Sequence, residues 1–147
     1  MKTIIRPARL SDARALQRNC YPDELLANVR EYLAWCLRQA DKGWIVRLVA
    51  ELDAEVVGNV QLTMRDGVGE VGSLVVAAAY RGRGLGRRLV AAAIEIGKER
   101  GLQALEIDFS EDRPAVGDFY ARMGFKKERE LSPDTSTRHL VRLRMEL

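Results

Sequence analysis

The sequence predicts a mixed α/β fold: one mostly antiparallel sheet of about seven strands, with about four helices spread over its two faces. Three observations carry this. Residues 44–52 and 55–64 alternate apolar and polar positions with period two, and the Asp66-Gly67 turn leads into a third strand over 68–77. Apolar positions with a 3.6-residue period dominate 25–37 and 84–100. The chain has 147 residues, 47% hydrophobic and 31% charged, with no low-complexity stretch, long linker or internal repeat. That is the profile of one domain, here 1–147, with length enough for a core.

Ile4-Ile5-Arg6-Pro7-Ala8 reads as a short first strand with proline near its end. Ser11-Asp12 can cap a short helix reaching about Asn19. Pro22-Asp23-Glu24 is a plausible opening for a second helix, whose buried stripe would be Leu25, Val29, Tyr32, Leu33, Cys36 and Leu37, ending at Gly43. Next come two strands presenting Trp44, Val46, Leu48, Ala50 and Leu52, then Val56, Gly58, Val60, Leu62 and Met64. The tight Asp53-Ala54 turn makes them a hairpin. Asp66-Gly67 turns the chain into the strand 68–77. A long helix follows from about Gly84 to Arg100, with Leu85, Leu89, Ala93 and Ile96 inward and Gly101 closing it. Residues 102–109 form a strand beside the earlier one through a right-handed crossover. A helix over 114–123 ends at Gly124, and 125–128 and 139–147 make the closing strands. The order is β-α-α-β-β-β-α-β-α-β-β.

Composition excludes several classes. No apolar run approaches the roughly 20 residues of a membrane span, and the N-terminus lacks the pattern of a secretory leader. A cytoplasmic setting is the expectation. Cys20 and Cys36 lack the spacing of a disulfide framework or zinc site and are read as reduced thiols on helices. His139 is the single histidine and lies far along the chain from both, so no metal is expected. The net charge of +3 is mild, with 21 acidic residues interleaved among 24 basic ones. The loop arginines flank glycines rather than aromatics, which argues against a nucleic-acid surface.

The local basic excess is more informative. Residues 75–89 read as an apolar strand, a turn rich in glycine and arginine, and a helix start. Gly82, Gly84 and Gly86 let backbone approach a ligand closely. The first helical turn carries unpartnered N–H groups and the positive end of the dipole. With Arg81, Arg83, Arg87 and Arg88 around it, the spot suits a phosphate or diphosphate. The spacing is neither the Gly-x-Gly-x-x-Gly dinucleotide fingerprint nor a P-loop.

Over nearly its whole length the chain resembles the GNAT N-acetyltransferase family. Arg81-Gly82-Arg83-Gly84-Leu85-Gly86 fits that family's Gln/Arg-x-x-Gly-x-Gly/Ala coenzyme A signature. Phe119-Tyr120-Ala121-Arg122-Met123-Gly124-Phe125 is similar to its Tyr-x-x-x-Gly-Phe segment. The two lie in the family's order, about 35 residues apart. The resemblance implies acetyl-coenzyme A as donor and a sheet splayed beside Leu74, Val75, Val76 and Ala77. The pantetheine arm would pair there like an added strand. The diphosphate would rest on Arg81, Gly82, Arg83, Gly84, Leu85, Gly86 and Arg87.

Acetyl transfer to an amine needs a base for the ammonium, a donor for the oxyanion and a proton for the departing thiolate. By resemblance Tyr120 is the candidate acid and the Val76 N–H the oxyanion donor. Glu70 is the candidate base: it lies six residues before Val76, and simple alternation puts both side chains on one face unless a bulge intervenes. Glu106 and Asp108 are weaker candidates. Where many members carry an asparagine seven residues before the tyrosine, this chain has Arg113, a candidate cofactor contact.

The acceptor pocket is expected between the first two helices and the segment 131–138, near Tyr21, Trp35 and Asp134. The acceptor is a small-molecule or protein amine, and many relatives being homodimers makes self-association an expectation. The competing reading is a non-catalytic acyl-coenzyme A binding or sensing domain of the same fold.

Overall fold

The computed structural model describes residues 2–131 and 139–147. Its regular elements are β1 (Thr3–Pro7), α1 (Ala13–Cys20), α2 (Leu26–Asp41), β2 (Ile45–Leu52), β3 (Glu55–Arg65), β4 (Val68–Val76), α3 (Leu85–Glu99), β5 (Ala104–Ser110), α4 (Pro114–Arg122), β6 (Lys126–Leu131) and β7 (Leu140–Glu146). The order is the one expected from sequence. Single 3-10 turns at Leu10–Asp12 and Ala78–Tyr80 add to it.

The seven strands form one sheet in the order β1-β2-β3-β4-β5-β7-β6. β4 and β5 run parallel; every other pair is antiparallel. Strand alternation sorts the core into two layers. Leu48 and Ala50 of β2 pack with Leu89, Val90 and Tyr120. Their neighbour Val49 packs with Leu16 and Leu33. So α3 and α4 cover one face, and α1 and α2 the other. Full burial of a side chain such as Leu89 contributes about 2 kcal/mol. The edge strand β6 carries Lys126, Lys127, Glu128, Arg129 and Glu130, all exposed, a charge pattern that discourages edge pairing. No described helix is long and apolar enough to cross a membrane.

Three expectations need correction. Trp44 precedes β2 and is 56% exposed, outside the inward set. The β2–β3 register shifts at Ala50/Glu51, so Val56 turns to the α1/α2 core rather than joining Val60 and Leu62. Helix α2 begins at Leu26; Leu25 is its cap and is exposed, and the 22–24 segment is not helical.

The start of α1 is tied to the sheet by charge. Arg6 grips Asp12 with two bonds of 2.7 and 2.9 Å and reaches Glu51 at 2.9 Å. The Arg9 amide also donates to Asp12 at 2.7 Å. Burial works to raise the Asp12 carboxyl, but these donors outweigh it and hold it below the usual carboxylate range.

The feature that shapes the site is a gap. β4 and β5 pair only from Val68↔Ala104 to Glu70↔Glu106. Beyond that β4 continues to Val76 and β5 to Ser110 without each other, while β5 stays paired with β7 along its full length. The cause lies on the other side of β4. The β3–β4 ladder holds to Gln61↔Gly72 and resumes at Asn59↔Val75. Val60 therefore opposes two residues, Ser73 and Leu74. Ser73 takes a φ of +52°, and such a bulge sharpens the twist and bends the strand away from its neighbour.

Candidate functional site

At the mouth of the gap the chain leaves β4, makes the Ala78–Tyr80 turn and enters α3 through the glycine-rich loop. Gly82 and Gly84 have φ of +77° and +79°, conformations that suit glycine, and a Cβ at either would meet nothing within 4 Å. The space before these residues is open. Gly84 caps α3, and the first helical bond is donated by Arg88 to its carbonyl at 3.1 Å. The amides of Leu85, Gly86 and Arg87 have no acceptor within the helix, and they lie at the positive end of a helix of 15 residues.

This loop borders a cleft of about 960 Å³. Arg81, Gly82, Gly84, Leu85, Gly86 and Arg87 line its mouth; Leu74 and Val76 line one wall; Arg113 and Tyr120 line the other. Val75 and Arg83 stand outside that lining. Val75 pairs with Asn59 and faces α1 and α2, and the Arg83 guanidinium lies over the Tyr80 ring at 5.3 Å. Ala77 donates its N–H to Val57 at 2.8 Å, so alternation turns the Val76 amide the other way, into the gap. The Val76 carbonyl is held by Arg81 Nε at 3.0 Å.

Tyr120 is 3% exposed. Its ring stands edge-on to Phe119 at 5.0 Å and Phe125 at 5.4 Å, which fixes its direction. Burial pushes its phenol above the usual tyrosine range, so it keeps its proton at neutral pH. Among the described residues no hydrogen bond engages the hydroxyl and no buried polar side-chain atom lacks a partner. The hydroxyl therefore opens onto the cleft it lines.

The bulge overturns the alternation expected for Glu70. Glu70 is opposite Thr63 and Val76 opposite Gly58, but the extra residue between them changes parity. Val76 faces α3, and Glu70 faces the α1/α2 side at the vertex of the gap, directly across from Glu106. Three carboxylates share that side. Asp108 is gripped by Arg142 through bonds of 2.8 and 3.0 Å, and Glu106 by Arg144 at 3.0 Å. Among the described residues Glu70 is the one of the three without an arginine partner.

A second, smaller pocket of about 340 Å³ opens on the α1/α2 face. Ser73 lines both it and the cleft, so the two meet at the bulge from opposite faces of the sheet. Tyr21 lines this pocket as expected. Trp35 instead stacks on Tyr32 at 5.8 Å on the surface, 42% exposed. Asp134 and the rest of 132–138 lie outside the described residues.

Arg47, which sequence reasoning missed, forms the floor of the pocket. It is 6% exposed and donates to Asn59 Oδ1 at 2.6 and 3.1 Å, to Gln61 Oε1 at 2.5 Å and to the Tyr21 hydroxyl at 3.2 Å. The signal was available: Arg47 interrupts the buried Ile45 and Val49 on one strand face. Cys20 and Cys36 are free thiols on α1 and α2. Burial pushes Cys20 up to about 11, leaving it protonated and unreactive at neutral pH.

A family model described as acetyltransferase (GNAT) family matches residues 10–125. An uncharacterized N-acetyltransferase of Archaeoglobus fulgidus is 31% identical over 107 residues, covering 68% of this chain and 71% of that protein. One of Methanocaldococcus jannaschii is 29% identical over 107 residues, covering 67% of this chain but only 46% of that protein; the match spans about half its length. The fold is shared with the PaiA N-acetyltransferase of Thermoplasma acidophilum, solved in complex with coenzyme A, at a TM-score of 0.81 and 19% identity over 100% of both chains.

Proposed function

This chain belongs to the acetyltransferase (GNAT) family, and from that premise we propose that it moves an acetyl group from acetyl-coenzyme A to a primary amine by direct attack within a ternary complex. The carrying observation is the meeting of two cavities at Ser73, one from each face of the sheet. Donor and acceptor can thus approach one gap from opposite sides.

Each residue has a role that its surroundings support. Acetyl-coenzyme A supplies the activated acetyl thioester. The amides of Gly82, Gly84, Leu85, Gly86 and Arg87 hold its diphosphate at the start of α3, with Arg81, Arg87 and Arg113 adding charge at the cleft wall. The Val76 N–H donates to the carbonyl oxygen as negative charge grows on it. Glu70, uncommitted to any arginine among the described residues, takes the proton of the acceptor ammonium, directly or through water. Tyr120 gives its proton to the departing sulfur. A nitrogen–carbon bond forms as the carbon–sulfur bond breaks. We place the reaction in the cytoplasm, a setting in which free thiols such as Cys20 and Cys36 persist.

The test is direct. Acetyl-coenzyme A should raise the melting temperature, and free thiol should appear when amines are added. No stabilisation by millimolar ligand sinks the reading. Stabilisation without turnover of any amine, unaltered by Tyr120→Phe, would favour an acyl-coenzyme A sensing domain.

A further inference from the structure

We propose that the α1/α2 pocket is an anion-recognising acceptor site in which Arg47 binds the carboxylate of a small amino acid. This names the acceptor class for the transfer reaction above and rests on that reading.

Arg47 carries a charge that no group among the described residues balances. Other partly buried arginines of this fold are matched by carboxylates: Arg6 by Asp12 and Glu51, Arg142 by Asp108 and Glu106. Arg47 is more deeply buried than these, with 6% exposure, yet its hydrogen-bond partners are all neutral: Asn59, Gln61, Tyr21 and, at 3.9 Å, the Cys36 thiol. Among the described residues no carboxylate lies within ion-pair distance of it. A buried guanidinium without a counter-charge is costly. An anionic ligand supplies that charge; Arg47 lines the pocket, and the ligand would take the place of its two longest contacts, the Cys36 thiol at 3.9 Å and the Tyr21 hydroxyl at 3.2 Å.

Position then fixes what else the ligand carries. Asn59 touches both the Arg47 guanidinium and, at 3.3 Å, the Ser73 carbonyl in the bulge. A carboxylate on Arg47 is therefore one side chain away from the gap where the acetyl group is transferred, a separation that suits an amine and a carboxylate on one small molecule. The volume of about 340 Å³ is small for a ligand site. Leu16, Val29, Leu33 and Tyr32 give it apolar walls that accept an aliphatic side chain. Glu24, exposed at the rim, is the carboxylate among the lining residues; it tolerates the ammonium of a zwitterion. A polyamine would be repelled by Arg47.

The experiment compares free L-amino acids, leucine and methionine first, with their carboxamides. Two readings are taken: thiol release from acetyl-coenzyme A, and calorimetric binding in the presence of coenzyme A. The acids should exceed the carboxamides at least about tenfold in kcat/KM and in affinity, as expected for a charge-assisted contact. Arg47→Gln should bring that ratio to about one, and Arg47→Lys, a point charge in place of the fork that bonds Asn59 and lies over Tyr32, should keep part of it. Carboxamides equal to the acids, no binding of any acid, or a preference that survives Arg47→Gln each overturns the assignment. If Arg47→Gln fails to fold, the ratio in the unaltered protein and in Arg47→Lys decides. Acid-selective binding without turnover keeps the Arg47 site and sinks the transfer reading; turnover without the preference does the reverse.

Discussion

The Asn59 side chain donates to the Ser73 carbonyl at 3.3 Å and so holds the bulge that opens the sheet. Asn59 is fully buried, and its oxygen accepts two bonds from Arg47. One residue therefore couples the shape of the gap to the charge beneath the acceptor pocket. Replacing it by leucine takes an acceptor from three donors, Nε and Nη2 of Arg47 and the Tyr21 hydroxyl, and frees the bulge. Urea unfolding should give a loss of about 3 kcal/mol. A loss under about 0.5 kcal/mol would mean that the bulge holds itself.

Gly84 sits at φ +79° with open space where a Cβ would go. The cost of Gly84→Ala is therefore conformational, about 1–2 kcal/mol, and it falls on the loop whose amides are proposed to hold a diphosphate. Coenzyme A affinity should drop about tenfold or more by calorimetry, while the melting temperature changes by only a few degrees. Unchanged affinity would show that the loop amides do not bind the ligand.

Tyr120→Phe removes the proton proposed for the departing sulfur and leaves the packing on Phe119 and Phe125. The rate should fall about a hundredfold or more, with little change in coenzyme A affinity. The raised phenol also predicts an alkaline signature. Its protonated form is favoured by the folded state, so its contribution is intact below the ordinary tyrosine value of about 10. That contribution is lost as pH rises above it. The Phe variant should show a flatter loss of stability above about pH 10.

Asp12 titrates in the opposite sense. Its carboxyl is held low by Arg6 and Arg9 against the pull of burial. Its stabilisation is present above the ordinary value of about 4 and is lost as pH falls through the lower folded value. Asp12→Asn should destabilise the protein by about 3 kcal/mol at pH 7 and by much less near pH 2. An equal penalty at both pH values would assign its effect to packing.

Local signals made much of this fold legible. The 3.6-residue period of α3, the glycines that end α3 and α4, the alternation of β2 and β3 and the Asp66-Gly67 turn fix the element order, and Gly82, Gly84 and the surrounding arginines mark the loop that borders the cleft. What stayed hidden was tertiary. A single inserted residue at Ser73 leaves the apolar pattern of β4 looking continuous, yet it sends Glu70 and Val76 to opposite faces. Arg47 falls on the polar phase of the β2 alternation, and its burial depends on Asn59 and Tyr21, which come from other elements. The start of α2 was misplaced because Pro22-Asp23-Glu24 is equally good as a turn.

Everything proposed for this site depends on backbone amides at the start of α3 and at Val76 holding acetyl-coenzyme A across the gap. An amide-resolved NMR titration with acetyl-coenzyme A tests it most directly. The resonances of Gly82, Gly84, Leu85, Gly86 and Val76 should shift together and saturate at one affinity. If the ligand saturates the protein while those amides stay in place, the account is wrong.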